Sequence, residues 1–302
     1  MTGSAVKIVD FIFAARPMLL FPVWSIYLIS YKLLSPDPVL DYAGLLPPAG
    51  LTLVFCGTYY INQIYDYESD RINRKLGFLQ KNMITRSEMT AAYISTSVLA
   101  VLLAFYSGLA VGILICLIFL LGFIYSAPPA RLKDRPLAGL LSNICAYGVL
   151  IPAVAAPGVY SRMMIHVILY FALLVGAGYL LTIMPDREGD RKTGKKTLAA
   201  YFSDRVIIFM ALLLLIAGFY FALRIDNLFL IGICAVSAGL FTAALVWPKG
   251  SLVLFSCKFP IFLVSLLAGY YFPVYLVFIL VLLILTRLYY KKRFGMIYPR
   301  IN

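Results

Sequence analysis

The chain has 302 residues, 63% of them hydrophobic and only 13% charged, with a formal net charge of +13. That balance excludes a water-soluble globule and fits a polytopic membrane protein. In a soluble chain such an excess of cations would point to nucleic acid. Here their position along the chain matters more than their total, and no nucleic-acid partner is expected.

Apolar stretches long enough to cross a bilayer recur at 9–34, 43–65, 89–107, 108–126, 137–157, 163–185, 204–223 and 228–247. A long apolar tail follows from 251 to 290, either one helix or a hairpin turning at Tyr270-Tyr271-Phe272-Pro273. The hairpin gives ten helices by hydropathy. The first stretch carries Asp10 and Arg16-Pro17 and runs directly into the body, so no cleavable signal peptide is expected. Residues 1–302 therefore read as a single membrane-embedded domain. The five cysteines are scattered one per apolar segment, which suggests neither a disulfide framework nor a zinc site.

If these stretches alternate across a membrane, the loops 66–88, 127–136 and 186–203 share one side and carry most of the cations. The opposite side offers only Lys32, Arg162 and Arg224. The asymmetry predicts a cell-membrane protein whose cation-rich loops, and N-terminus, face the cytoplasm.

The same loops hold the acids. Only 13 acidic residues occur in the chain, and six of them sit in two short segments that each close an apolar run. The first is Asn62-Gln63-Ile64-Tyr65-Asp66-Tyr67-Glu68-Ser69-Asp70, the second Asp186-Arg187-Glu188-Gly189-Asp190. On a helix Asn62, Asp66 and Asp70 fall at i, i+4 and i+8, and Asp186 and Asp190 at i, i+4, so each set keeps to one face. Either segment alone could simply mark where a helix leaves the membrane. Two of them, in a chain so poor in acid, point to hard oxygen ligands for Mg²⁺, which takes one or two carboxylates and completes its shell with water and phosphate oxygens. The metal ligands predicted are Asn62, Asp66, Asp70, Asp186 and Asp190.

A metal-bridged diphosphate also needs cations for the oxygens that the metal does not reach. The second acidic segment continues into Arg191-Lys192-Thr193-Gly194-Lys195-Lys196-Thr197, and Tyr125-Ser126-Ala127-Pro128-Pro129-Ala130-Arg131-Leu132-Lys133 lies between the two. Arg131 and Lys133 would grip the diphosphate, and Tyr125 could donate to it. A coarse duplication, apolar helix, acidic end and basic loop, at 43–88 and again at 163–205 would bring the carboxylate pairs together across one cavity.

Taken together, Asn62-xxx-Asp66-xxx-Asp70, Tyr125-Ser-Ala-Pro-Pro-Ala-Arg-Leu-Lys133 and Asp186-Arg-Glu-Gly-Asp190-Arg191-xx-Gly194-xx-Thr197 resemble the motifs of the UbiA superfamily of intramembrane prenyltransferases. Arg16-Pro17 and Asn143 also fit that family's pattern, and the resemblance runs over roughly residues 10–200. The first loop lacks the Arg-Pro and Ser-Gly that many members carry. The resemblance implies an all-α membrane protein of nine transmembrane helices around a central cavity, capped by the two loops that carry the motifs. It also implies Mg²⁺-dependent transfer of a prenyl group from its diphosphate to a lipophilic acceptor. Asp66, Asp70, Asp186, Asp190, Lys133 and Tyr125 would form the catalytic set. Asn62, Arg71, Arg74, Arg131, Asn143, Arg191, Lys195 and Arg16 would bind substrate.

The competing class is a cation-coupled transporter, since intramembrane carboxylates and duplicated architectures are common there. Against it, the acids cluster at one membrane face among many cations, whereas transport sites tend toward the midplane. A CDP-alcohol phosphotransferase would need an Asp-Gly-x-x-Ala-Arg run, and the chain has none.

Overall fold

The computed structural model describes residues 3–35, 42–72, 77–192, 194–296 and 298. Among them every regular element is helical. Ten helices are long and apolar enough to cross a membrane: α1 (Pro17–Leu34), α2 (Gly44–Tyr65), α3 (Arg86–Ser107), α4 (Leu109–Ser126), α5 (Pro136–Ala155), α6 (Arg162–Thr182), α7 (Asp204–Ile225), α8 (Leu228–Val246), α9 (Gly250–Tyr271) and α10 (Pro273–Phe294). The apolar tail is a hairpin turning at Phe272, so among the described residues the count is the ten of hydropathy, one more than the resemblance implies. A bundle of this kind is a multi-pass membrane protein, because only internally bonded backbone is tolerated in hydrocarbon.

The first apolar stretch, 9–34, is not one helix. It divides into a helix at Gly3–Ala14 and α1, with Arg16 between them in the left-handed region (φ 54°, ψ 59°). The reason is local: Pro17 cannot continue a helix from the preceding turn. A non-glycine residue in that region carries about 1 kcal/mol of strain, so its surroundings must hold it there.

Helix starts follow their caps. Thr85 and Glu88 form a reciprocal capping box at the head of α3. Ser161, Ser203 and Asn227 accept backbone N–H groups at the heads of α6, α7 and α8. A single residue, Gly108 at φ 141°, joins α3 to α4, a conformation open to glycine and to little else.

Helices α2, α3 and α4 pack together on one side, and α6, α7, α8 and α9 on the other, with α1 and α5 between them. Each group begins with a helix that leads into an acidic segment. In the core that joins them, Ser25 of α1 lies 3.1 Å from the Ser265 hydroxyl of α9 and 2.9 Å from that of Tyr275 in α10. Such hydrogen bonds tie helices where no water competes.

Helix α5 changes its winding midway, with a π-helical stretch at Ile144–Leu150. Wide turns of this type are rare and concentrate at functional sites. The stretch packs on α6 through Gly148, where an added Cβ would stand 2.3 Å from the Ala172 Cα. Gly148→Ala therefore pushes backbone against backbone, and an overpacking penalty of about 2 kcal/mol is expected. A lowered thermal unfolding midpoint of the purified protein in detergent checks this.

Candidate active site

Helix α2 ends at Tyr65, and a short helix, Tyr67–Ile72, takes over after one turn residue, Asp66. The hydrogen bonds nevertheless keep helical spacing on the acidic face. The Asp66 N–H donates to the Asn62 carbonyl at 2.9 Å, and the Asp70 N–H to that of Asp66 at 2.8 Å. The second segment repeats the device, with the Asp190 N–H on the Asp186 carbonyl at 2.8 Å, in the short helix Arg187–Lys192.

The two segments meet. A cavity of about 230 Å³ is lined by Asn62, Asp66 and Asp70 from the first and by Asp186, Asp190, Lys195 and Thr197 from the second. Arg16, Tyr125, Lys133, Asp134, Tyr179 and Ile183 complete its walls. Lys195 Nζ lies 3.8 Å from Asp66 Oδ1 and 3.9 Å from Asp190 Oδ1, so one ammonium bridges both halves. The loops are also joined by backbone, through the Lys196 N–H on the Asp134 carbonyl at 3.1 Å.

Lys133 is nearly buried. Its ammonium donates to Asn62 Oδ1 at 2.7 Å and stands 2.8 Å from Asp66 Oδ1. Ser126 donates to the same Asn62 oxygen at 3.2 Å. Burial by itself would raise the Asp66 pKa, but Lys133, then Lys195 and Arg131, outweigh it and hold the carboxyl below its usual range. Burial likewise presses Lys133 below the ordinary lysine range, and Asp66 restores only part of the loss. The cavity thus holds an ionised carboxylate and closely packed cations.

Two apolar cavities adjoin it. One, of about 190 Å³, runs between α1, α2, α4 and α5 and shares Arg16, Asn62 and Tyr125 with the polar cavity. The other, of about 160 Å³, lies between α1, α5, α6, α8 and α9 and shares Tyr179 with it. Asn143 and Tyr147, from the π-helical region of α5, line both. Asn143 Nδ2 donates to the Tyr125 hydroxyl at 3.3 Å, and Tyr147 shares a 3.0 Å hydrogen bond with Tyr59. The arrangement is a charged head chamber with apolar galleries leading away from it.

Not every expected residue reaches this chamber. Arg71 is exposed and pairs with Glu68 at 2.9 Å. Arg191 spends its guanidinium on the Ala200 carbonyl, at 3.1 Å from Nε and 2.9 Å from Nη2, which braces its own loop. Arg131 stands beside rather than in the wall, 2.9 Å from Asp134 through Nε and 3.8 Å from Asp66 through Nη2. Arg74 lies outside the described residues. Conversely, Thr197 and Asp134 line the chamber although no separate role is expected of them from sequence, and Tyr179 stands where the chamber meets a gallery. Thr197 donates to Asp190 Oδ2 at 3.1 Å, and its signal was its place at the end of the second acidic segment.

The donor set suits a hard divalent cation. Asp66 Oδ1 is buried, and the cations around it hold it by charge without a well-directed hydrogen bond. Among the described residues no three His, Cys, Asp or Glu side chains stand close enough together to hold one metal ion.

Comparison with known proteins accords with this architecture. The chain resembles, at 31% identity, a probable homogentisate phytyltransferase from Oryza sativa subsp. japonica, over 58% of this chain and 50% of that one. It is 27% identical to a lycopene elongase/hydratase from Corynebacterium glutamicum, over 63% of this chain and 68% of the relative. The chain spans about half the length of the first of these curated relatives. The structure of a UbiA homolog from Archaeoglobus fulgidus bound to GPP and Mg²⁺ superposes with a TM-score of 0.70 at 18% identity, covering 87% of this chain and 97% of that one. A digeranylgeranylglyceryl phosphate synthase structure gives 0.66 at 19% identity, with 87% and 96% covered. At that identity the likeness speaks for the fold. A sequence model of the UbiA prenyltransferase family matches residues 19–251, and the chain belongs to that family.

Proposed function

We propose that this protein transfers a prenyl group from an isoprenyl diphosphate to a lipophilic acceptor within the membrane, in a Mg²⁺-dependent reaction. The observation that carries the reading is the meeting of Asp66, Asp70, Asp186 and Asp190 with Lys133 and Lys195 in one polar chamber that opens beside apolar galleries. A prenyl diphosphate has that division of character, a polyanionic head on a hydrocarbon tail. The family's activity and the named relatives, which include a phytyltransferase and a lycopene elongase/hydratase, support the same reaction class.

Asn62, Asp66, Asp70, Asp186 and Asp190 would hold Mg²⁺, which when bound neutralises charge on the diphosphate. Lys133 and Lys195 take the oxygens that remain, with Arg131 behind them and Arg16 at the junction with the first gallery. The allylic C–O bond breaks as the diphosphate leaves, and the cationic chamber stabilises charge developing on it. The allylic cation is captured by an electron-rich carbon or oxygen of the acceptor, and the acceptor loses a proton. Apolar walls keep water from capturing the cation first. Tyr125 and Tyr147 line the first gallery, where aromatic rings would favour positive charge. Asn143 orients Tyr125. Residues 1–302 act as one membrane-embedded domain in this reading.

The cation-rich loops support a cytoplasmic site in a cell-membrane protein. Ten crossings also return the basic end of α10, Lys291, Lys292 and Arg293, to the side of the acidic segments. The test is mass spectrometry of lipid extracts incubated with purified protein and each of several prenyl diphosphates in the presence of Mg²⁺. A prenylated lipid that forms only with active protein is expected. Proton- or ion-coupled solute uptake into proteoliposomes, with no prenylated product, would favour the transporter.

A further inference from the structure

Arg16 lines the polar chamber from a strained left-handed backbone, and its own side chain does not cap the turn that follows it. What holds it lies at the two ends of the chain. Asp10, on the helix Gly3–Ala14, is buried, and its carboxylate accepts from Tyr289 of α10 at 2.6 Å. Arg293, at the end of α10, donates to the same carboxylate at 3.1 Å from Nε and 2.7 Å from Nη2. One turn further on, Phe13 stacks on the Tyr289 ring at 3.9 Å with an interplanar angle of 10°.

The last turn of the same helix is fastened to α2. The Tyr60 hydroxyl donates to the Phe11 carbonyl and Gln63 Nε2 to the Ala14 carbonyl, each at 2.8 Å. Gln63 is the neighbour of Asn62 and lies three residues before Asp66. The short N-terminal helix is therefore clamped between the acidic end of α2 and the far end of α10, and it terminates at Arg16. Asp10, Tyr289 and Arg293 all fall outside the residues matched by the family, 19–251.

We propose that Asp10, Tyr289 and Arg293 form a latch that positions Arg16 for the diphosphate head, so that the end of the chain contributes to substrate binding without touching substrate. A buried carboxylate deprived of its cation is costly, so loss of Arg293 frees the helix end that carries Arg16. The inference rests on the reading of the chamber as a diphosphate site. These are positioning residues, and the effect should travel through Arg16 alone.

The experiment is equilibrium binding of radiolabelled geranyl diphosphate with Mg²⁺ to the full-length protein, with displacement by inorganic pyrophosphate. The variants are Arg293→Ala, Arg16→Ala and the double substitution. Arg293→Ala should weaken binding about 10-fold, and in the Arg16→Ala background it should cost nothing further. Tyr289→Phe keeps the ring stack and removes one hydrogen bond, so a loss of about 3-fold is expected. It carries the test if Arg293→Ala does not fold, and unchanged affinity there overturns the latch. Arg293→Lys should recover part of the loss. Wild-type protein that does not bind the probe refutes the diphosphate reading itself. Wild-type binding with an unchanged Arg293→Ala, or with losses that add in the double variant, overturns only the latch.

Discussion

Asp66→Ala and Asp190→Ala are each expected to reduce the proposed prenyl transfer by roughly 100-fold or more while the protein stays folded. The expectation follows from where the two carboxylates stand. They come from segments more than a hundred residues apart, yet Lys195 lies within 4 Å of both. Removing either leaves the chamber with an excess of positive charge and one proposed metal ligand short. Steady-state turnover and thermal unfolding, measured on the same preparations, separate lost chemistry from lost fold.

The second large effect is expected at Lys133. Its ammonium holds Asn62 and is the nearest cation to Asp66, at 2.8 Å. Lys133→Met keeps the length and apolar stem of the side chain but leaves a buried carboxylate without its closest partner. Breaking a buried pair in this way should destabilise the protein by about 3 kcal/mol, in addition to a severe loss of activity. The double variant Lys133→Met, Asp66→Asn removes the stranded charge, so it should regain much of the stability and none of the activity. Thermal unfolding and turnover of the single and double variants check the pair. If the double variant were as unstable as Lys133→Met, the cost would lie in packing and not in charge.

How much of this was legible in the chain differs from residue to residue. The i, i+4 spacing of Asn62, Asp66 and Asp70, and of Asp186 and Asp190, was readable because helical periodicity is local. The structure keeps that spacing even where α2 breaks at Asp66. The coarse duplication foretold that the two segments would share a cavity. Eight apolar runs were equally plain, whereas the tail from 251 to 290 could be one helix or two, and it is a hairpin because Pro273 begins a new helix. By contrast, the fate of the arginines was not. Arg71 and Arg191 carry the same charge as Lys195, but a neighbouring Glu68 and a backbone carbonyl at Ala200 capture them first. Such local capture depends on loop geometry that spacing alone does not encode.

Tyr179 shows the same limit from the other side. Among 22 tyrosines nothing in the sequence marks the one that separates a polar chamber from an apolar gallery. The latch at Asp10 is a contact between residues 283 positions apart, made by parts of the chain with no recognisable motif. The π-helical stretch of α5 packs closely against α6 at Gly148, yet its sequence reads as an ordinary apolar helix.

The central claim is that a divalent cation and a diphosphate share the chamber formed by both acidic segments. Its most direct measurement is saturation binding of a radiolabelled prenyl diphosphate to the purified protein, with Mg²⁺ and with EDTA. Saturable binding that appears with Mg²⁺, vanishes in EDTA and is lost in both Asp66→Ala and Asp190→Ala is the result expected. Equal binding in EDTA, or full metal-dependent binding in either variant, would contradict it.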